Sequence, residues 1–243
     1  QGELEVWTLS IQQPARLWAR DIGHSTEGLR FTVVEGDAAL PLQTQVVGHY
    51  NISNLLGVIA TLRSLGMPLV QAVQACAHLE PVPGRMQQIA QPGQPLVAVD
   101  YAHTPDALEQ ALRALQPVAR ERGGQLWCVF GCGGNRDATK RPLMGQAAQR
   151  GADRVLVTSD NPRGEVPEAI VQQIVAGMQP GALVQVDRAA AIAQAIAQAA
   201  PQDVVLLAGK GHEDYQEVMG AKRPFSDMAE AQRALAAREG QAK

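Results

Sequence analysis

Four clusters of glycine, charged and amide residues carry side chains suited to binding a small ionic ligand. They read DYAHTPD (100–106), GCGGNRD (131–137), SDNPRGE (159–165) and GKGHEDY (209–215). Each follows a short apolar run of the kind that forms a buried β-strand. Because ligands of an open parallel sheet bind beyond the carboxyl ends of its strands, we expect the four clusters to share one site.

The charges in these clusters suit a ligand that carries more than one carboxylate and more than one amine. Arg136 and Arg163 each offer a guanidinium fork for a carboxylate. Asp160 and Glu213 can accept hydrogen bonds from ammonium groups, and Asn161 can donate to an oxygen or accept from a nitrogen. A single amino-acid head group would need only half of this set.

Two clusters resemble nucleotide-binding loops without completing the pattern. Arg136 stands where the dinucleotide-binding pattern G-x-G-x-x-G requires its third glycine, and Gly211 follows Lys210 where a phosphate loop requires Ser or Thr. The glycine loop at 131–134 still exposes backbone N–H groups that can hold an anion. His103 can serve as a ligand or base, although a lone loop histidine is more often a hydrogen-bonding turn residue.

The sequence pattern between these clusters predicts a Rossmann-like α/β domain that would position them. Nearly continuous apolar runs predict strands at 95–99, 125–130, 154–158, 183–186 and 203–208. Helical spacing fills the gaps, at about 105–121, 141–150, 167–178, 189–199 and 227–238. This alternation predicts a parallel sheet covered by helices on both faces.

The first third of the chain has a different pattern. It predicts strands at 4–9, 30–35 and 42–47 and helices at 52–65 and 68–79. The segment EPVPGRM (80–86) contains two prolines and a glycine, so it predicts a domain hinge.

Composition excludes several functional classes. The 243-residue chain is 46% hydrophobic and has a net charge of −3, with 4% aromatic residues and no run of Lys or Arg, which argues against a nucleic-acid partner. No apolar stretch approaches the roughly 18 residues of a membrane span. The three cysteines favour a reducing cytoplasm over a disulfide framework, and Cys128 and Cys132 are interpreted as packing residues rather than zinc ligands. The chain opens with QGELEVWTLS inside a strand-like pattern, so we expect a fragment of a longer protein.

Longer motifs resemble the Mur ligase family over most of the chain from about residue 45. They are GHYNISNLL, GRM, VDYAHTPDAL, WCVFGCGGNRDATKRPLMG, SDNPRGE and LLAGKGHEDYQ, and they are most similar to the members that add 2,6-diaminopimelate. The family has a UDP-sugar domain, a central ATPase domain and a Rossmann-like domain that receives the amino acid. The resemblance implies that residues 1–83 are the C-terminal part of the central ATP-binding domain and that residues 84–243 are the amino-acid-binding domain. The N-terminal portion, with the phosphate loop and a carbamylated lysine, would lie outside this chain.

The resemblance also implies an activity for the complete enzyme in peptidoglycan synthesis. The D-Glu carboxylate of a UDP-N-acetylmuramoyl dipeptide would attack the γ-phosphate of ATP, which gives an acyl phosphate and releases ADP. The amine of meso-diaminopimelate then attacks the acyl carbon and phosphate leaves. ATP and Mg²⁺ are the implied cofactors, and the isolated fragment is expected to be inactive because it holds no complete catalytic centre and no metal site.

The resemblance assigns seven residues to diaminopimelate. They are Arg136, Asp160, Asn161, Pro162, Arg163, Gly209 and Glu213. Arg136 matches the group that binds the carboxylate at the reacting centre. Asn161 and Arg163 match the groups that hold the distal carboxylate, while the Gly209 carbonyl and Glu213 match those that hold the distal amine.

Five residues are assigned to ATP on the same basis. Asn51 and Asn54 match the asparagines beside the adenine, and Arg85 matches the arginine that reaches the phosphates. Asp100 and His103 match the loop on the ribose side.

Two other readings stay open from the sequence. The first is a lysine-adding or other Mur-type ligase, which Arg163 disfavours because lysine lacks the distal carboxylate. The second is a non-catalytic Rossmann-type nucleotide-binding module, which the incomplete glycine pattern disfavours.

Overall fold

The first compact unit of the chain is a four-stranded sheet packed against two helices. The computed structural model describes residues 4–25, 28–80 and 82–241, which divide into two compact units between residues 80 and 82. The strands of the first unit are β1 (Leu9–Ser10), β2 (Leu17–Ser25), β3 (Gly28–Glu35) and β4 (Ala38–Thr44), and its helices are α1 (His49–Ser64) and α2 (Leu69–Ala77). The strands pair in the order β1-β2-β3-β4, with β1 parallel to β2 and the other pairs antiparallel. Apolar side chains such as Phe31, Leu42, Ile52 and Ile59 are buried between sheet and helices.

Three strand predictions in this unit need correction. The strand predicted at 42–47 is β4 (Ala38–Thr44), which begins four residues earlier and ends three residues earlier. The predicted strand 4–9 is wrong for most of its length, because strand pairing begins only at Leu9. Strand β2 was not predicted, since its register shifts between Arg20 and Gly23 and Asp21 has a φ of 52°, which interrupts the alternation of apolar and polar residues. The predicted hinge 80–86 includes Pro81, which lies outside the described residues.

The second unit has the predicted Rossmann-like layout. Its sheet contains β5 (Gln87–Ile89), β6 (Leu96–Asp100), β7 (Leu126–Phe130), β8 (Arg154–Val157), β9 (Leu183–Val184) and β10 (Val204–Ala208). Its helices are α3 (Pro105–Glu121), α4 (Lys140–Gly151), α5 (Pro167–Val175), α6 (Arg188–Gln198) and α7 (Asp227–Gln241). The strand order is β5-β6-β10-β7-β8-β9, and every pair is parallel except β5 with β6. All residues of β6, β7 and β10 are buried, which explains why these strands read as continuous apolar runs.

The strand order brings the four polar clusters together. Strands β6, β10, β7 and β8 are direct neighbours, so the loops that follow them lie side by side at one edge of the sheet. Strand β9, whose end carries no such cluster, is the outermost strand on its side. The sheet therefore presents one continuous polar edge.

Two features of this unit were not predicted. Strand β5 adds an antiparallel edge to the parallel sheet, and a separate hairpin is formed by β11 (Tyr215–Val218) and β12 (Ala221–Pro224). Both are short and rich in polar residues, so they lack the apolar signal that marks the central strands.

A buried ion pair between α6 and α7 also contacts the carboxyl ends of β8 and β10. Arg188 at the start of α6 donates to both carboxylate oxygens of Asp227 at the start of α7, at 2.8 and 2.7 Å, and both side chains are fully buried. The same guanidinium donates to the carbonyl oxygens of Ser159 and Ala208 at 3.3 and 3.0 Å. It thus fixes the points at which the chain leaves β8 and β10 to form two of the polar loops.

Candidate functional site

A cavity of about 390 Å³ opens at the polar edge of the sheet, lined by residues from all four clusters. Six of the residues assigned to diaminopimelate line it, namely Arg136, Asp160, Asn161, Arg163, Gly209 and Glu213. Pro162 is not among the lining residues, and its carbonyl oxygen accepts a hydrogen bond from the backbone N–H of Glu165 at 2.9 Å. His103, assigned to ATP, also lines the cavity.

Arg163 is held by the hairpin in an unusual backbone conformation. Its φ is 51°, in the left-handed region that a bulky residue rarely adopts. The hairpin compensates, because Arg163 N–H donates to Glu217 O at 2.9 Å and Met219 N–H donates to Arg163 O at 2.6 Å. One guanidinium nitrogen, Nη1, donates to Gly134 O at 3.0 Å, and Nε lies 3.7 Å from the Glu217 carboxylate. The hairpin therefore holds the Arg163 backbone, and Gly134 O together with the Glu217 carboxylate orients the guanidinium.

Asn161 and Glu213 place a donor and an acceptor side by side. Asn161 Nδ2 donates to Glu213 Oε2 at 2.8 Å, and Asn161 Oδ1 accepts the backbone N–H of Glu217 at 2.9 Å. Glu213 uses only one of its two carboxylate oxygens in this contact. An amide N–H and a carboxylate oxygen thus reach the cavity next to one another.

Asp160 is buried at the base of the cavity. Burial raises the pKa of this carboxyl, the positive charges of Arg188 and Lys210 oppose the rise, and the negative charges of Glu213 and Asp227 add to it. Position 209, next to Asp160, requires glycine. Gly209 has a φ of 116°, and a side-chain carbon there would lie 3.1 Å from Asp160 Oδ2.

Glu165 joins the glycine loop to the SDNPRGE loop. Its carboxylate accepts hydrogen bonds of 2.8 Å from both terminal nitrogens of the buried Arg141. Oε1 also accepts a hydrogen bond of 2.6 Å from the backbone N–H of Asn135. The hydrogen bonds from Arg141 and from Asn135 lower the pKa of Glu165 to about 2. The contact sets the backbone next to Arg136, whose side chain is exposed at the mouth of the cavity.

We expect Glu165→Gln to lower the melting temperature at neutral pH and to have a much smaller effect near pH 2. The pKa of this carboxyl is depressed in the folded protein, so its stabilising contribution is present above its unfolded pKa of about 4.3 and is lost as pH falls towards 2. Thermal melts from pH 7 to pH 2 measure the difference between the two proteins. The exposed Glu121 provides the control variant Glu121→Gln, and an equal loss at every pH would contradict the assignment.

Gly134 allows the two loops to approach closely. Its N–H donates to Asn161 O at 2.8 Å, and a side-chain carbon at this position would lie 1.9 Å from Pro162 O. Contacts this short force backbone movement, so Gly134 is needed for the close approach itself.

We expect Gly134→Ala to separate the two loops and to abolish ligand binding at the cavity. The added methyl group meets backbone rather than a flexible side chain, so it cannot be accommodated by a rotamer change. Calorimetric titration and thermal melts measure binding and stability. The control is Gly240→Ala in α7, where an added side-chain carbon would meet nothing within 4 Å apart from its chain neighbours and the backbone of its own helix. Full binding by Gly134→Ala would contradict the prediction.

The residues assigned to ATP fall on both units, and each group is described separately. In the first unit, Asn51 Nδ2 donates to Val47 O at 2.7 Å and Asn54 Nδ2 donates to Asn51 Oδ1 at 3.1 Å, so the two amides share one face of α1. In the second unit, three residues surround Tyr101.

The Tyr101 group combines a cation, an imidazole and a buried acid. The Arg85 guanidinium lies 4.8 Å from the Tyr101 ring centroid, and His103 Nδ1 lies 2.8 Å from Tyr101 O. Asp100 accepts the backbone N–H of Met86 at 2.9 Å, and burial raises its pKa. Its carboxylate thus also serves to fix the chain beside Arg85.

Sequence reasoning missed the residues that support the site. These are Arg141, Glu165, Lys210, Gln216 and Glu217. Glu165 and Lys210 stood within the polar clusters, but nothing in their spacing distinguishes a buried partner from an exposed side chain. The part of the chain that the structure describes contains no group of three or more His, Cys, Asp or Glu residues that could hold a metal ion. It also contains no helix long and apolar enough to cross a membrane.

Comparison with known proteins yields a family and close relatives. The family described as "Mur ligase, glutamate ligase domain" matches residues 84–211. A protein of Acidovorax sp. (strain JS42) named UDP-N-acetylmuramoyl-L-alanyl-D-glutamate–2,6-diaminopimelate ligase is 66% identical, over 98% of this chain and 48% of its own length. A protein of the same name from Chromobacterium violaceum is 51% identical, over 87% of this chain and 43% of its own length.

A solved structure of a ligase with that name has the same fold. It superposes with a TM-score of 0.74 at 40% identity and covers 96% of this chain and 48% of that one. The chain therefore spans about half the length of the curated relatives it matches.

Proposed function

Because this chain belongs to the Mur ligase family, we propose that it supplies the amino-acid site of an ATP-dependent amide ligase. The complete enzyme adds meso-2,6-diaminopimelate to UDP-N-acetylmuramoyl-L-alanyl-D-glutamate in the cytoplasm, as a step of peptidoglycan synthesis. Residues 1–83 form the C-terminal part of the central ATP-binding domain, and residues 84–243 form the amino-acid-binding domain. The names of the relatives at 66% and 51% identity support this substrate.

The observation that carries the proposal is the contact between Asn161 and Glu213. An amide N–H and a carboxylate oxygen 2.8 Å apart can hold the carboxylate and the ammonium of one amino-acid head. Arg163 adds a guanidinium to the carboxylate side. Arg136 stands on another loop of the same cavity and takes the carboxylate at the other end of the ligand. On this proposal the cavity binds a ligand with two amino-acid heads, as diaminopimelate has.

The chain contributes mainly positioning to the reaction. Holding the distal head fixes the reacting amine in one orientation, and orientation of this kind accounts for much of the rate acceleration in two-substrate reactions. ATP activates the acceptor carboxylate when it is bound, and Asn51, Asn54, Arg85, Asp100 and His103 are the residues assigned to it. Mg²⁺ is the second cofactor proposed for the complete enzyme, and the described residues of this chain contain no group of three or more His, Cys, Asp or Glu residues that could hold it. The isolated chain is expected to be inactive.

A competition assay on the complete enzyme tests the proposal. With the UDP-linked dipeptide and ATP present, meso-diaminopimelate and L-lysine are offered together and the two products are measured by mass spectrometry. We expect lysine to be disfavoured by roughly ten- to hundredfold, since it offers no distal carboxylate to the Arg163 guanidinium and the Asn161 amide. Equal use of lysine would contradict the substrate assignment, and a lack of dependence on ATP would contradict the class of reaction.

A further inference from the structure

Lys210 is a fully buried cation whose described polar contacts are all to residues that line the cavity. We propose that Lys210 is a positioning residue that orients Asn161 as a donor and Glu213 as an acceptor, and so sets the specificity for the distal amino-acid head. This assignment rests on the proposed function, because that function names the ligand. It extends that function to a residue that does not itself line the cavity.

The Lys210 ammonium group lies close to three side-chain oxygen atoms. Its Nζ donates to Asn161 Oδ1 at 3.1 Å and to Glu213 Oε2 at 3.3 Å, and it lies 3.6 Å from Asp160 Oδ1. The Lys210 side chain is 0% exposed, so it makes these contacts without competition from water.

Lys210 and the hairpin together determine which way the Asn161 amide faces. Asn161 Oδ1 accepts from Lys210 Nζ and from the backbone N–H of Glu217, and both of these groups can only donate. A flipped amide would set its NH₂ group against two donors. Asn161 therefore presents its NH₂ group towards Glu213 and the cavity, as a carboxylate ligand requires.

Lys210 also fixes the Glu213 carboxylate. Oε2 is occupied by Lys210 and Asn161, which leaves Oε1 as the oxygen available to an ammonium group. A flexible glutamate without these contacts would sample several rotamers and would lose part of its preference for an amine at one position. Lys210 thus acts on both charges of the same head group.

A purely structural buried ion pair would have a different set of partners. Arg188 and Asp227 form such a pair in the same unit, and their contacts are with each other and with the backbone carbonyls of strand ends. The side-chain oxygen atoms that contact Lys210 Nζ belong instead to three residues that line the cavity, Asp160, Asn161 and Glu213. Lys210 is therefore tied to the ligand-binding groups rather than to the packing of the helices.

The affinities of three ligands distinguish a positioning role of Lys210 from a purely structural one. meso-Diaminopimelate has both distal groups, 2-aminopimelate lacks the distal amine, and L-lysine lacks the distal carboxylate. Isothermal titration of each into the 243-residue chain gives two affinity ratios, one for each distal group. The variant is Lys210→Met, and the control is Lys222→Met on β12, an exposed lysine whose Nζ lies 4.1 Å from the Tyr215 ring centroid.

We expect Lys210→Met to weaken diaminopimelate binding by about 10- to 100-fold and to reduce both ratios. Loss of all three affinities by one common factor, or unchanged ratios, would overturn the assignment. A wild-type chain that binds none of the ligands would overturn the proposed function, and this assignment with it. Lys222→Met should match the wild type.

A crystal structure of the wild-type chain with meso-diaminopimelate keeps the inference testable if Lys210→Met does not fold. We expect Lys210 Nζ to stay within hydrogen-bonding distance of Asn161 Oδ1 and Glu213 Oε2, with Glu213 Oε1 on the ligand amine. A Lys210 side chain that turns to contact the ligand directly, or an Asn161 amide whose oxygen faces the ligand carboxylate, would contradict the positioning role.

Discussion

Replacing Arg163 by alanine in the complete enzyme is expected to raise KM for diaminopimelate roughly ten- to hundredfold and to leave KM for ATP unchanged. The guanidinium is held by Gly134 O and lies beside Glu217, so it is oriented before the ligand arrives. Its loss removes a charge-assisted contact to the distal carboxylate. Steady-state kinetics with each substrate varied in turn measure the two constants.

The control for this experiment is Arg120→Ala, which removes an exposed arginine from the end of α3. It should change neither constant. An Arg163→Ala enzyme with an unchanged KM for diaminopimelate would contradict the role of this side chain. A parallel rise in the KM for ATP would indicate general damage to the enzyme rather than loss of one contact.

Replacing Asp227 by alanine is expected to destabilise the second unit by about 3–5 kcal/mol, because it leaves the buried Arg188 charge without its partner. Urea unfolding can be followed through the NMR signal of the Trp127 indole N–H. This group donates to Asp203 at 3.0 Å and reports on the sheet of that unit.

The double variant Arg188→Met with Asp227→Leu separates the pair from its packing. Replacing a whole buried ion pair by apolar side chains of similar volume is often neutral. The double variant should therefore recover most of the lost stability. A single variant that loses less than about 1 kcal/mol would contradict the importance of the unpaired charge.

The central sheet could be predicted because its strands are buried on both faces. Strands β7 and β10 contain only apolar residues, β6 is apolar up to Asp100, and helical spacing marked α3 to α7. The common location of the four polar loops at one edge of the sheet could be predicted without the strand order, because ligands of parallel sheets bind beyond the carboxyl ends of the strands. The Rossmann-like layout is thus confirmed.

The hairpin and the buried charges could not be predicted for physical reasons. Strands β11 and β12 are short and partly or fully exposed, so no apolar alternation marks them. Lys210 and Glu165 are held by residues distant in sequence, such as Asn161 and Arg141, and charged residues are usually exposed. Pattern analysis indicated which loops hold ligands, whereas the orientation of each side chain depends on contacts that only the fold creates.

The site assignment is tested most directly by titrating the isotope-labelled chain with meso-diaminopimelate and, separately, with NAD. We predict that diaminopimelate shifts the backbone amide signals of residues 131–137, 159–165 and 209–213, while helix α2 is unaffected. NAD should leave these signals unchanged. Shifts with NAD but not with diaminopimelate, or diaminopimelate shifts confined to residues away from the cavity, would contradict the assignment of this cavity as the amino-acid site of a Mur ligase.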